Sequence, residues 1–150
     1  MGLFDAIGIA GSGLSAQRIR MDVTAENLAN ADTTRGAGGR PYQRQDVVLA
    51  QGAPGEAFSG ALSGALAQAP GAPSAAGVQV SAIVQDKTPD QLLYDPGNPE
   101  ANAKGYVQMP NVSTVTEMTD LISEQQSYQS DVTAMQTAKS MFTATLGLLK

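Results

Sequence analysis

The 150-residue sequence predicts a mainly α fold with a small β-rich middle, its long N- and C-terminal helices pairing as an antiparallel-type coiled coil. Three observations predict it. Apolar side chains recur at heptad spacing near the N-terminus, a long stretch free of Gly and Pro carries an apolar stripe near the C-terminus, and short alternating segments bounded by turn residues lie between them.

The first helix is expected over residues 3–31. Ile7, Leu14, Met21 and Leu28 recur every seven residues, with Phe4, Gly11, Arg18 and Ala25 at the intervening offsets, which makes one stripe with a period near 3.5. Gly8, Gly11 and Gly13 each weaken a helix by about 1 kcal/mol relative to Ala. The N-terminal end is therefore expected to fray in isolation, and the glycines to permit close helix packing or local bending. Asn27 and Asn30 read as a C-terminal cap, because Asn tolerates the left-handed conformation.

In the middle, Tyr42–Ala50 reads as a strand. Val78, Val80, Ala82 and Val84 alternate with Gln79, Ser81, Ile83 and Gln85 as a second, and Gly105–Met109 is a short third. Ala, Gly, Pro and Ser make up 21 of the 27 residues from 51 to 77, too few large side chains to repay ordering, so this insert is expected to be a mobile loop or an insertion ordered only by neighbours. Asp95-Pro96-Gly97-Asn98-Pro99 is turn chemistry, with Pro fixing φ and Asp or Asn capping the bend.

The last helix rests on the strongest signal. Asn111 to Leu146 contains neither Gly nor Pro, and Pro110 precedes it. Thr114 followed by Glu117 fits a capping box, which starts the helix near residue 115. Met118, Leu121, Gln125, Tyr128, Val132, Met135, Lys139, Phe142, Leu146 and Leu149 step by alternating three and four, and eight of these ten are apolar. About 34 residues at 1.5 Å each give roughly 50 Å of helix. Such a stripe must be covered for the helix to persist. The N-terminal helix is the internal candidate, and further copies of the chain can supply more. Phe4, Ile7, Leu14, Met21 and Leu28, with Met118, Leu121, Tyr128, Val132, Met135, Phe142, Leu146 and Leu149, are thus the expected interface and assembly residues. Residues 1–33 and 111–150 form one helical domain in this reading, and residues 34–110 the β-rich segment between.

Composition excludes much chemistry. The chain has no His, Cys or Trp and only seven Phe and Tyr together, so histidine-based acid/base catalysis, thiolate nucleophiles and zinc fingers are unavailable, and no catalytic residue or cofactor is expected. Nine Lys and Arg against fourteen Asp and Glu give a net charge of −5, and no segment forms the basic patch that nucleic acid requires. The first positive side chain is Arg18, too late for a secretory signal, and no apolar run reaches the roughly 18 residues of a membrane span. Asp86, Asp90, Asp95 and Glu100 lack the spacing of a calcium loop and read as solvated turn carboxylates. The glycines at 8–13 follow no strand and lead to no Lys-Ser or Lys-Thr, so they do not read as a phosphate loop. Met118, Met135 and Met141 read as core or interface filling.

A resemblance covers nearly the whole chain. Met21-Asp22-Val23-Thr24-Ala25-Glu26-Asn27-Leu28-Ala29-Asn30-Ala31-Asp32-Thr33-Thr34 resembles the amino-terminal signature of the bacterial flagellar rod and hook axial proteins. Three further segments, Arg40–Val48, Tyr94–Pro99 with Gly105–Val112, and Glu117–Ile122, are similar to those of a rod-type member of that family, and only about 51–77 is left uncovered. The resemblance marks Asn27, Leu28, Asn30, Tyr94, Asp95, Pro96, Gly105, Tyr106, Pro110 and Asn111 as family motif positions. Asn98 stands where the family commonly has His, and Gln125 and Gln126 near a family Arg, so this helix is less basic than the family pattern.

The resemblance implies a non-enzymatic subunit of the proximal rod in the periplasm. It implies export through the flagellar type III system without a cleaved signal, and terminal helices that pair into an inner tube. Implied partners are copies of the chain, other proximal and distal rod proteins, an adaptor at the rod base beside the export gate, and the export apparatus in transit. Head-to-tail contacts that do not close into a ring give helical assembly. A soluble coiled-coil adaptor or export chaperone that does not polymerise is the alternative from another class, and a carboxylate-only hydrolase a third.

Overall fold

A computed structural model of the chain describes residues 3–36, 38–52 and 77–147. In order, the elements are α1 (Leu3–Ala29), β1 (Gln45–Gln51), β2 (Val78–Gln85), β3 (Gln91–Tyr94), β4 (Tyr106–Met109) and α2 (Thr114–Gly147). β1 pairs with β2 and β3 with β4, so the β content is two small two-stranded sheets. Side chains of residues 3–6 and of Leu146, the insert from 53 to 76 with Phe58, and Leu149 lie outside the described residues, and with them the expectations placed on Phe4, Leu146, Leu149 and the loop. No helix among the described residues is long and apolar enough to cross a membrane.

The chain divides into two compact units. One comprises Met1–Arg18, Leu49–Ser81 and Gln126–Lys150. Here Gly11 and Gly13 lie against the last helix: a Cβ on Gly13 would stand 3.1 Å from Asp131 Oδ2, and one on Gly11 3.8 Å from Met135 Cε. These glycines sit within a continuous helix and serve close packing, the first of the two roles expected of them. Ser12 Oγ donates to Ile9 O at 2.7 Å and accepts from Val78 N at 3.0 Å. Because Gly77 has no side chain, the start of β2 can reach that hydroxyl, where a Cβ would lie 2.3 Å from Ser12 Oγ. Ile7, Leu14, Tyr128, Val132, Met135 and Phe142 are half-buried.

The other unit comprises Ile19–Val48 and Ala82–Gln125. Its buried apolar side chains are small and few: Val23, Ala31, Val107, Pro110 and Val112. α1 ends at Ala29 in a tightened turn, with Asn30 N donating to Asn27 O at 3.2 Å and Ala31 N to Leu28 O at 3.3 Å. Asn30 Nδ2 bonds Glu26 O at 2.9 Å. Among the described residues only Gly39 and Gly105 have positive φ, so the left-handed asparagine cap is not formed. The helix closes through the Asn30 side chain, and Asn27 lies inside it. Met21 and Leu28 are half-buried.

The first strand begins at Gln45 rather than Tyr42. Tyr42 N is drawn to Thr33 O at 3.1 Å and the side chains of Tyr42 and Arg44 are engaged elsewhere, which removes residues 42–44 from the strand. β3 was not foreseen. Its four residues pair with β4 antiparallel, Gln91 opposite Met109 and Tyr94 opposite Tyr106, and four exposed positions leave no alternation to read. Gly105, with φ of 80°, makes the turn into β4, and a Cβ there would lie 2.9 Å from Tyr94 Cε2. The Tyr94 and Tyr106 rings meet edge to face at 5.2 Å.

α2 starts one residue earlier than expected, and its cap is Ser113: Thr116 N donates to Ser113 Oγ at 3.4 Å, and Glu117 N to Ser113 O at 2.9 Å. Thr114 and Glu117 therefore do not form the capping box. The buried side of α2 follows the apolar stripe at Leu121, Tyr128, Val132, Met135 and Phe142 and departs from it at other positions. Glu117 and Glu124 are buried and Leu121 half-buried, whereas Met118 and Gln125 are exposed, as is Lys139 in the first unit. In the second unit the face is turned by one position, where the two carboxylates have their partners.

Candidate functional site

The most fully satisfied polar cluster lies where α1, β1 and α2 meet in the second unit. Asn27 is 1% exposed and uses all four hydrogen-bonding positions of its carboxamide. Its Nδ2 donates to Gln45 O at 2.8 Å and to Glu117 Oε2 at 3.0 Å, and its Oδ1 accepts from Gln45 N at 2.9 Å and from Tyr42 OH at 3.0 Å. The paired bonds to Gln45 copy what a neighbouring strand's peptide would offer. Asn27 thus stands in for a strand at the edge where β1 begins.

Glu117 is equally buried, at 1% exposed. An isolated carboxylate could not remain charged there without partners. Arg44 Nε reaches Glu117 Oε1 at 2.6 Å, while its Nη atoms lie 3.9 Å from Asp86 and 3.7 Å from Asp120. The hydrogen bond to Glu117 raises the Arg44 pKa above its usual value against the opposing effect of burial. Arg44 is held from the backbone too: its N donates to Asn111 Oδ1 at 2.8 Å, and Asn111 Nδ2 donates onward to Asp86 O and Thr88 O. Burial, then the charges of Glu26 and Glu117, push the Tyr42 hydroxyl up from its ordinary value, which keeps it the proton donor to Asn27.

One heptad along α2, Glu124 is 5% exposed. Its Oε1 accepts from Thr24 Oγ1 at 3.3 Å and lies 3.3 Å from Arg20 Nε. Burial raises its pKa, and the charge of Arg20 opposes that shift.

Of the family motif residues, Asn27 and Asn111 belong to this cluster, where Tyr42 and Glu117 join them through the bonds above. Tyr94, Asp95, Gly105 and Tyr106 build the β3–β4 hairpin, with Asp95 N bonded to Gly105 O at 2.9 Å and Asp95 Oδ1 accepting from Gly97 N. The cap reading of Asn27 and Glu117 missed the cluster, and local spacing carries no signal for it. Of the turn carboxylates, Asp86 Oδ1 accepts from Thr88 two residues on, Glu100 accepts from Thr34, 66 residues away in sequence, and Asp90 Oδ1 is buried with no hydrogen-bond partner. Among the described residues no group of three metal-ligating side chains converges. The cluster is a joint in which Asn27, Tyr42, Arg44 and Glu117 hold one another and the start of β1.

Comparison with known proteins supplies the class. A family model described as "Flagella basal body rod protein" matches residues 7–37, and one described as "Flagellar basal body rod FlgEFG protein C-terminal" matches residues 103–148. These two matches define an axial protein of the flagellar basal body, with the signature at both ends of the chain. Flagellar basal-body rod protein FlgC of Escherichia coli O6:H1 is 44% identical over 99% of this chain and 98% of its own length. The FlgC proteins of Bacillus subtilis and Borreliella burgdorferi are 44% and 38% identical, each over 100% of this chain and 100% and 99% of their own. The chain belongs to the FlgC family of flagellar basal-body rod proteins. It is a structural, non-enzymatic subunit of the flagellar basal-body rod, and it assembles there with other rod components.

Proposed function

We propose that this subunit polymerises in the proximal rod, transmits torque and forms part of the wall of the export channel. Residues 1–33 and 111–150 act as the inner-tube domain, with α1 and α2 paired as an antiparallel coiled coil and copies stacked helically. Residues 34–110 make lateral contacts. The neighbours are copies of the chain, other proximal and distal rod proteins and an adaptor at the rod base, and the chain reaches them through the flagellar type III export apparatus without a cleaved signal. Phe4, Ile7, Leu14, Met21, Leu28, Met118, Leu121, Tyr128, Val132, Met135, Phe142, Leu146 and Leu149 are the contact set.

One observation carries this reading. In the second unit four of the five buried helix positions are polar, Thr24, Asn27, Glu117 and Glu124 against Val23, while Val115, Met118 and Ile122, at i, i+3 and i+7 on α2, are 74%, 53% and 58% exposed. An exposed apolar row at that spacing suits another helix.

Met118→Asp tests it, because Met118 is exposed and its loss leaves the folded chain intact. The variant is expected to be exported and folded yet fail to complete rods, giving non-motile cells. Val132→Asp and Phe142→Asp are expected to block rod completion as well. Normal motility in the Met118 variant sinks the proposed contact. Fractionation of detergent-extracted basal bodies separates a rod subunit, which stays with the rings, from a soluble adaptor or chaperone, which does not.

A further inference from the structure

The methionines of the chain differ sharply in how open their sulfur chemistry is. Met21, Met109 and Met135 are half-buried, whereas Met118 and Met141 are 53% and 59% exposed. Their surroundings separate the two exposed ones. The residues three and four positions either side of Met141 are Thr137, Ala138, Ala144 and Thr145. Met118 is instead the middle member of the apolar row on α2, between Val115 and Ile122, which are 74% and 58% exposed. An accessible thioether is a target for two-electron oxidants, and the sulfoxide it becomes is polar and disrupts an apolar contact.

We propose that Met118 is an oxidation site whose state decides whether a subunit can join the rod, an inference that rests on the exposed row being the surface a neighbouring subunit covers. A peroxide supplies the oxygen. The sulfur lone pair attacks one peroxide oxygen, the S–O bond forms as the O–O bond breaks, the sulfur loses two electrons, and hydrogen peroxide is reduced to water. The sulfoxide oxygen then stands between Val115 and Ile122, whose side chains offer no donor, so covering it strips the group of its water without replacement. The hydrogen bonds that join Asn27, Arg44 and Glu117 use no atom of the Met118 side chain. Oxidation therefore acts on assembly and leaves the fold in place. A subunit not yet incorporated presents the thioether, and one already in the rod shields it.

The purified full chain, treated with hydrogen peroxide and mapped by peptide mass spectrometry, is expected to oxidise Met118 and Met141 roughly fivefold faster than Met21, Met109 and Met135. A Met118 rate equal to that of Met135 overturns the proposal. In cells, Met118→Leu keeps an apolar side chain without the thioether, and Met118→Gln stands for the sulfoxide. Met118→Gln is expected to lower the yield of completed basal bodies about tenfold, the effect of one buried acceptor left without a donor, while Met118→Leu leaves it unchanged. A peroxide pulse given while rods are being built is expected to cut the yield in wild type and spare it in Met118→Leu. Equal yields in those two strains after the pulse, or a normal yield in Met118→Gln, overturn the proposal. If Met118→Asp blocks rods and Met118→Gln does not, the contact stands and the oxidation site alone falls; a normal yield in Met118→Asp removes both.

Discussion

Replacing Asn27 with Ala removes one side chain and strands four groups. The backbone N and O of Gln45, the Tyr42 hydroxyl and Glu117 Oε2 each lose a partner held at 2.8–3.0 Å. A typical intramolecular hydrogen bond contributes about 0.5–1.5 kcal/mol, and a buried group left unsatisfied costs about 1–3 kcal/mol. Gln45 and Tyr42 are only half-buried, so water can replace part of what they lose. Glu117 keeps Arg44. The expected destabilisation is therefore about 3–5 kcal/mol, below the sum of four full penalties. In a chain of this size each kcal/mol lowers the midpoint by about 2–4 °C, so thermal unfolding followed by far-UV circular dichroism is expected to shift down by roughly 6–20 °C. Amide exchange at Gln45 should rise with it. A shift of 2 °C or less, with Gln45 still protected, would show that the asparagine does not hold β1 to the helices and would refute the joint.

Arg44→Ala is expected to cost about 3–5 kcal/mol, because it abandons a carboxylate that is 1% exposed. The double variant Arg44→Ala with Glu117→Gln should recover part of that loss in denaturant unfolding. Gly105→Ala forces a side chain into a backbone with φ of 80° and to within 2.9 Å of Tyr94, so protection of the β4 amides should fall; Gly39→Ala, with φ of 69° but open space around it, should cost only the backbone strain, about 1–2 kcal/mol. Glu124 has its folded pKa raised by burial, so the folded chain binds its proton more tightly than the unfolded chain does. That contribution is largest below the usual glutamate value and is lost as pH rises through the raised one. Asp86, lowered by its bonds to Thr88, acts oppositely, its contribution present above the usual aspartate value and lost as pH falls. Unfolding measured from acid to neutral pH should show the Glu124 decline vanish in Glu124→Gln while the Asp86 trend persists.

The helices and most strand positions were legible because they depend on local pattern. Freedom from Gly and Pro over 111–146 is enough to set α2, and the alternation at 78–85 matches β2 residue for residue. The joint was illegible for a physical reason. Arg44 and Glu117 are 73 residues apart, and Asn27 and Glu117 are 90 apart. Each is typical of a local role, Glu117 of a first helical turn and Asn27 of a helix end, and nothing in a 3.6-residue period distinguishes a capping carboxylate from one that meets a distant guanidinium. The same reasoning explains why stripe and buried face part at Met118 and Gln125. A hydrophobic stripe shows where apolar side chains align, whereas the buried face is chosen by the total of contacts, and two partnered carboxylates outweighed Met118.

That choice has a consequence for how the subunit is built. Hydrogen bonds are directional and can all be satisfied inside one chain, so a joint made of Asn27, Arg44, Glu117 and Tyr42 can fix the geometry of α1, β1 and α2 before any neighbour arrives. Apolar burial is non-directional and scales with area removed from water, so Val115, Met118 and Ile122 gain only when another surface covers them. Placing polar groups inside and large apolar groups outside separates folding from assembly onto different residues. Asn27→Ala should then lower the stability of the free chain, whereas Met118→Asp should leave its unfolding within about 0.5 kcal/mol of wild type and abolish incorporation into rods. If Met118→Asp unfolded the free chain as severely as Asn27→Ala, the two roles would not be separable and the exposed row would belong to the fold itself.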